Sequence, residues 1–211
     1  MMRAGAHSEI RPDSGLWVIV DVGLSKNRTT GLLVGNGPAK NLTFAEAREE
    51  ISNAIQRSEM PVNLMIEAPT SLAFDRRGNP MPRFFEASGV FGDNGSRSWN
   101  TQPAPGVILA GLLQLRPLWD ARERLPEVRI FEGVATFRPR GTTGDHREDV
   151  TNLSRMVAQP DPQFVFDAPT IQNRTDGNVV SLFPICGMDV GIAPAIVVPP
   201  LGNALAEDVA G

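Results

Sequence analysis

Two carboxylates that end apolar strands are where this sequence points to chemistry. Leu16-Trp17-Val18-Ile19-Val20-Asp21 runs as a buried strand into an acid, and Val22-Gly23 with a polar turn leads on to Gly31-Leu32-Leu33-Val34. A second apolar strand, Asn63-Leu64-Met65-Ile66-Glu67, closes in the same way. Carboxylates at the ends of neighbouring buried strands repel each other unless positive charge sits between them. A divalent cation held by oxygen ligands meets that need.

The elements that must position these acids follow from pattern. Strands near 16–22 and 30–35, joined by a short polar turn, form an antiparallel hairpin. Asn36-Gly37-Pro38 is turn chemistry, and 39–43 adds an edge strand. Thr43-Phe44-Ala45-Glu46 is a capping box opening a helix to Arg57, with Ala47, Ile51, Ala54 and Ile55 on one face. Met60-Pro61 stops it before the Glu67 strand. A helix is expected over 107–124, with a weak point at Pro117, and then the strand Val128-Arg129-Ile130-Phe131-Glu132. Asp145-His146-Arg147-Glu148-Asp149 loads negative charge onto the start of a helix reaching Val157. A further helix is expected from Asp176 to Met188, despite Pro184, and Ala195-Ile196-Val197-Val198 reads as a last strand. Residues 1–14 read as a flexible arm, 15–200 as one domain and 201–211 as a tail. The stretch 75–105 lacks periodicity and reads as a functional loop insertion.

Bulk properties narrow the class. The 211 residues suit one globular domain, and 41% hydrophobic with 21% charged residues is the composition of a folded chain. No apolar run reaches the roughly 18 residues of a membrane span, and the first residues lack the apolar core of a secretory signal. A single cysteine, Cys186, forbids an internal disulfide and suits a reducing cytoplasm. The net charge of −4 argues against tight nonspecific duplex binding, but catalytic acids weigh on that total and a metal-dependent nuclease stays open.

The order β-β-(β)-α-β-α-β-α-α-β with an Asp-x-Gly hairpin resembles the ribonuclease-H-like fold of RNase H, Holliday-junction resolvases and several uncharacterised bacterial families. The likeness is greatest to one of those bacterial families. Its marks are a strand-ending Asp in the first hairpin, an acid-Pro element after the next central strand, a strand ending in Phe-Glu, and a late helix starting with Asp. The corresponding residues here are Asp21, Glu67-Ala68-Pro69, Phe131-Glu132 and Asp176. The late element departs from the family pattern, reading Thr175-Asp176-Gly177-Asn178, and Asp189 is a rival acid. The resemblance implies an α/β fold: a mixed sheet with an antiparallel N-terminal hairpin and central parallel strands, flanked by helices on both faces.

It also implies a two-metal phosphodiester hydrolysis site with Asp21, Glu67, Glu132 and Asp176 as the acids, and Asp21, Glu67 and Asp176 as direct metal ligands. Mg2+ or Mn2+ needs only oxygen ligands, so no histidine or cysteine is required. Arg76, Arg77, Arg138 and Arg140, in flanking loops, are candidates to grip substrate phosphates. Nucleic acid is the partner this chemistry implies, and a homodimer is among the assemblies the resemblance allows. Each acid also has a structural explanation: Asp21 as a turn former, Glu67 as a solvated strand end, Asp176 as a helix cap. His146 with Asp145 and Asp149 suggests a metal or general-base site, but the acids there are explained first by the helix dipole, and zinc at Cys186 lacks a nearby histidine. The Asp-x-Gly opening with Thr29-Thr30-Gly31 also resembles the sugar-kinase and actin superfamily, whose duplicated domain needs a far longer chain. The competing function is a binding or assembly module that keeps the fold without hydrolysis.

Overall fold

The computed structural model describes residues 1–23, 29–86, 111, 112, 114–135 and 145–199. In chain order these form β1 (Met2–Ala4), β2 (Leu16–Asp21), β3 (Thr30–Val34), β4 (Lys40–Leu42), α1 (Phe44–Arg57), β5 (Val62–Glu67), β6 (Ser71–Phe74) and β7 (Pro80–Met81). There follow α2 (Arg116–Asp120), β8 (Val128–Val134), α3 (His146–Ala158), β9 (Val165–Phe166), α4 (Ala168–Arg174), β10 (Asn178–Ser181) and β11 (Ala195–Val197). The main sheet runs β4-β3-β2-β5-β8-β11-β9. Strands β2, β5, β8 and β11 are mutually parallel, while β3 is antiparallel to both its neighbours and β9 is antiparallel to β11. A small antiparallel sheet, β10-β6-β7, stands apart from it.

The protein is therefore an α/β fold on a mixed sheet, with helices on both faces. Strand β5 is buried along its whole length, as a parallel strand covered on two sides must be. Val18, Val20, Leu64, Ile66 and Ile130 face α1 through Ala47, Ile51 and Ile55. Their neighbours Trp17, Ile19, Met65 and Phe131 face α3 through Val150, Leu153 and Val157. This alternation is the two-residue period of the strand. Thr43 caps α1 as its sequence requires: Oγ1 accepts from the Glu46 amide at 3.3 Å, and Glu46 Oε2 accepts from the Thr43 amide at 2.9 Å.

Four segments differ from expectation. The stretch before Ser14 is tied down: β1 pairs in parallel with β8, Met2 is buried, and Arg3 bridges Glu9 and Glu127. Three residues are too few to show a period, so nothing in sequence marked that strand. Pro117 opens the short α2 within its first turn instead of lying inside a long helix. Within 75–105, the first residues complete the β6–β7 hairpin, and 87–105 lie outside the described residues. The helix expected from Asp176 to Met188 is replaced by a turn, strand β10 and a 3-10 turn at Phe183–Cys186 that carries Pro184 near its start and is capped by Gly187 with φ +70°. Two β-branched valines and a proline outweighed a weak helical pattern. The tail, 201–211, also lies outside the described residues. Among the described residues no helix is long and apolar enough to cross a membrane.

Candidate metal centre

Strand register decides which acids meet. Asp21 pairs with Glu67 across β2 and β5, so their side chains share one face at the strands' C-terminal ends. Both are buried, with 2% and 5% exposure, and the Ala135 amide donates to Glu67 Oε1 at 3.4 Å. Going outward at the same level, Asp21 pairs with Gly31 on β3, and Gly31 with Asn41 on β4. Asn41, Gly31, Asp21 and Glu67 thus form one row across four strands.

The first turn of α3 lies over this row. Its cap, Asp145, accepts from the Arg147 amide at 3.0 Å and from Asn41 Nδ2 at 3.1 Å. The Asn41 side chain, first among several donors, keeps the Asp145 carboxyl below its ordinary pKa. Gly31 lets the helix come this close, because a Cβ there would stand 2.2 Å from the His146 carbonyl oxygen. One turn along, His146 and Asp149 project from the same face at i and i+3. Asp149 is 2% exposed.

His146 Nδ1 lies 2.8 Å from Asp21 Oδ2, yet the two lack the alignment of a hydrogen bond and neither atom has another partner. One ligand atom from each of Asp21, His146 and Asp149 falls within 4.8 Å of the others. Asp21 also lies within hydrogen-bonding reach of both Asp149 and Glu67. Burial first, then the charges of Glu67 and Asp149, pushes its carboxyl well above the usual carboxylate range. Two buried polar atoms in close contact without a hydrogen bond between them are what ligands of a shared cation look like. Around an ion with ligands at 2.0–2.1 Å, adjacent donors stand about 3 Å apart. The residues present therefore fit a divalent ion, and the His146 side chain, 35% exposed, leaves the cluster open to solvent on one side.

The other candidates lie elsewhere. Glu132 pairs with Ile66 and not with Glu67, which turns its side chain to the opposite face of the sheet. There it is 0% exposed and accepts from Arg83 Nη1 at 2.9 Å and Nη2 at 2.6 Å, and from the Thr70 amide and hydroxyl at 2.9 and 2.8 Å. Arg83 also pairs with Glu86. Burial works against the guanidinium charge, but Glu132 and Glu86 outweigh it and raise the Arg83 pKa. Asp176 is exposed in the turn entering β10, and Asp189 is exposed in a later loop. Neither joins the cluster. Arg76 and Arg77 are exposed at the tip of the β6–β7 hairpin, while Arg138 and Arg140 lie outside the described residues. Cys186 is buried and belongs to no ligand cluster among the described residues.

Sequence reasoning named His146 and Asp149 as a metal or general-base candidate but set that reading behind helix capping, and did not join them to Asp21. Their three-residue spacing at a helix start was visible, but a capping explanation accounts for acids there equally well. Compared with family models, with curated proteins and with solved structures, the chain matches none of them.

Proposed function

We propose that the protein is a divalent-metal-dependent phosphodiester hydrolase, a nuclease, built on a ribonuclease-H-like sheet. The observation that carries this reading is the convergence of Asp21, Glu67, His146 and Asp149 on one buried face at the ends of adjacent parallel strands. The antiparallel N-terminal hairpin, central parallel strands and two helical layers support the fold assignment. Asp149 takes the helix-borne role first given to Asp176, and Glu132, committed to Arg83, stands outside the site.

A bound divalent ion supplies the chemistry: it acidifies a water and stabilises the oxygen that leaves phosphorus. The chain's residues make a place for it. Asp21 offers its orphaned Oδ2 and His146 its Nδ1, while Asp149 and Glu67 add negative charge that attracts a cation into a low-dielectric pocket. An imidazole among carboxylates favours Mn2+ over Mg2+, which prefers an all-oxygen shell. A bound cation would favour the ionised form of the Asp21 carboxyl, against the burial and neighbouring acids that raise its proton affinity.

The test is calorimetric titration of Mn2+ into the wild type and Asp21→Asn, followed by incubation with single-stranded, duplex and branched DNA and RNA. Saturable binding and metal-dependent cleavage, both lost in Asp21→Asn, are the expected results. A folded wild type that binds no Mn2+ and cleaves nothing would sink the nuclease reading. That outcome would favour the binding module, whose one supporting observation is the neutralisation of Glu132 by Arg83.

A further inference from the structure

We infer that Asn41 is a positioning residue for the metal centre, acting from the edge strand through Asp145 and the first turn of α3. The inference rests on the metal reading above and adds what holds that site together before an ion arrives. Three observations carry it.

First, α3 has a reason to move away from the sheet at this point. Asp149 on the helix faces Asp21 on β2, within 4.8 Å by their nearest ligand atoms, and the charges of two carboxylates in a buried site oppose each other. Second, the helix is nevertheless seated in backbone contact with β3. At Gly31 there is no room even for a methyl group below the His146 carbonyl, so the helix start sits at its closest approach. Third, the polar contact that ties this turn to the sheet on the far side of Gly31 is the bond from Asn41 Nδ2 to Asp145 Oδ1, at 3.1 Å. Because Asn41, Gly31 and Asp21 are register partners, pull at Asn41 and push at Asp21 act on one helical turn from either side of the same contact. His146, the residue after Asp145, is thereby held with Nδ1 2.8 Å from Asp21 Oδ2. A tie of this kind does not touch the ion. It keeps the ligands assembled, so that binding does not have to draw the helix in.

The inference predicts a loss in metal affinity larger than the loss in fold stability. Calorimetric titration of Mn2+ is carried out on the wild type, Asn41→Ala, Asp145→Ala and the double variant, with metal-free thermal melts of each. Asn41→Ala should bind Mn2+ about 10- to 100-fold more weakly, the usual effect of removing an outer partner of a metal site. Its metal-free melting temperature should stay near wild type. In the double variant the Asn41 change should add little to Asp145→Ala, because both break one bond. Asn41→Asp, which keeps the side chain's size and sets an acid against Asp145, should also weaken binding and guards against a folding defect in the alanine variant.

A wild type that binds Mn2+ no better than Asn41→Ala would overturn the inference and leave the metal reading intact. So would fully additive losses, or a fall in metal-free stability that accounts for the whole loss of affinity. A wild type that takes up no Mn2+ overturns both.

Discussion

Glu67 and Glu132 end adjacent parallel strands after the same kind of apolar run, yet they belong to opposite electrostatic worlds. On the α3 face, Glu67 joins Asp149 around Asp21, in a cluster where burial and these two neighbours raise the proton affinity of Asp21. On the other face, Glu132 and Glu86 are bound to a fully buried arginine, with Thr70 and Ser71 completing the hydrogen bonds. One cluster has supplied its own cation and is finished. The other, on the reading proposed above, would take its cation from solution. The difference lies in a single step of the β8 register, which sets Glu132 opposite Ile66. A strand-terminal acid therefore carries no fixed meaning: the pleat and the partner decide whether it holds the fold or serves the chemistry.

Removing Arg83 breaks this contrast most severely. Arg83→Met leaves Glu86 and Glu132 buried without a counter-charge, and denaturant titration should show a loss of about 3–5 kcal/mol. Adding Glu86→Gln and Glu132→Gln to that variant should restore part of the loss, because the repulsion goes with the charges.

The open cluster should respond in the opposite direction. Asp21 has a raised folded pKa, so protonation favours the native state. Its contribution is complete at pH values below the ordinary carboxylate range and is lost as pH rises through the raised value. Metal-free Asp21→Asn, which cannot ionise, should therefore be more stable than wild type at neutral pH, with the gap closing in acid. Denaturation at several pH values in the presence of a chelator reads this directly. A stabilising change that abolishes metal binding would mark a site where stability has been given up for function. Equal stability of the two proteins at all pH values would mean that Asp21 is not under the strain described.

The smallest effect is expected at Asp176. Asp176→Asn sits in an exposed turn and should change stability by no more than about 0.5 kcal/mol, with Mn2+ affinity unchanged. Any clear loss of binding there would return Asp176 to the site and displace Asp149 from it.

What could be read in advance follows the same physics. Strands β2, β3 and β5, the capped helix α1 and the start of α3 announce themselves through local period and end chemistry, and the structure has them where those signals lie. Asp21 and Glu67 were legible as neighbours because each closes a strand. The parity of Glu132 was not, since register across strands is set by packing and not by the strand's own sequence. His146 and Asp149 were hidden by ambiguity, because the residue types that start a helix also ligate metals. Strand β10 was hidden by its shortness, and β1 by having its partner far along the chain.

That last feature bears on how the protein is made. Strand β8 carries β5 along one edge, and β1 and β11 in succession along the other. Arg3 waits for Glu127, 124 positions later, a delay of roughly 6 to 25 s at ribosomal speeds of 5–20 residues per second. Once β5 has emerged, its apolar edge has no neighbour on that side until β8 follows, and an unpaired strand edge invites pairing with other chains. The nascent chain is thus most open to aggregation just before β8 emerges, and slower translation across residues 68–127 would lengthen that exposure.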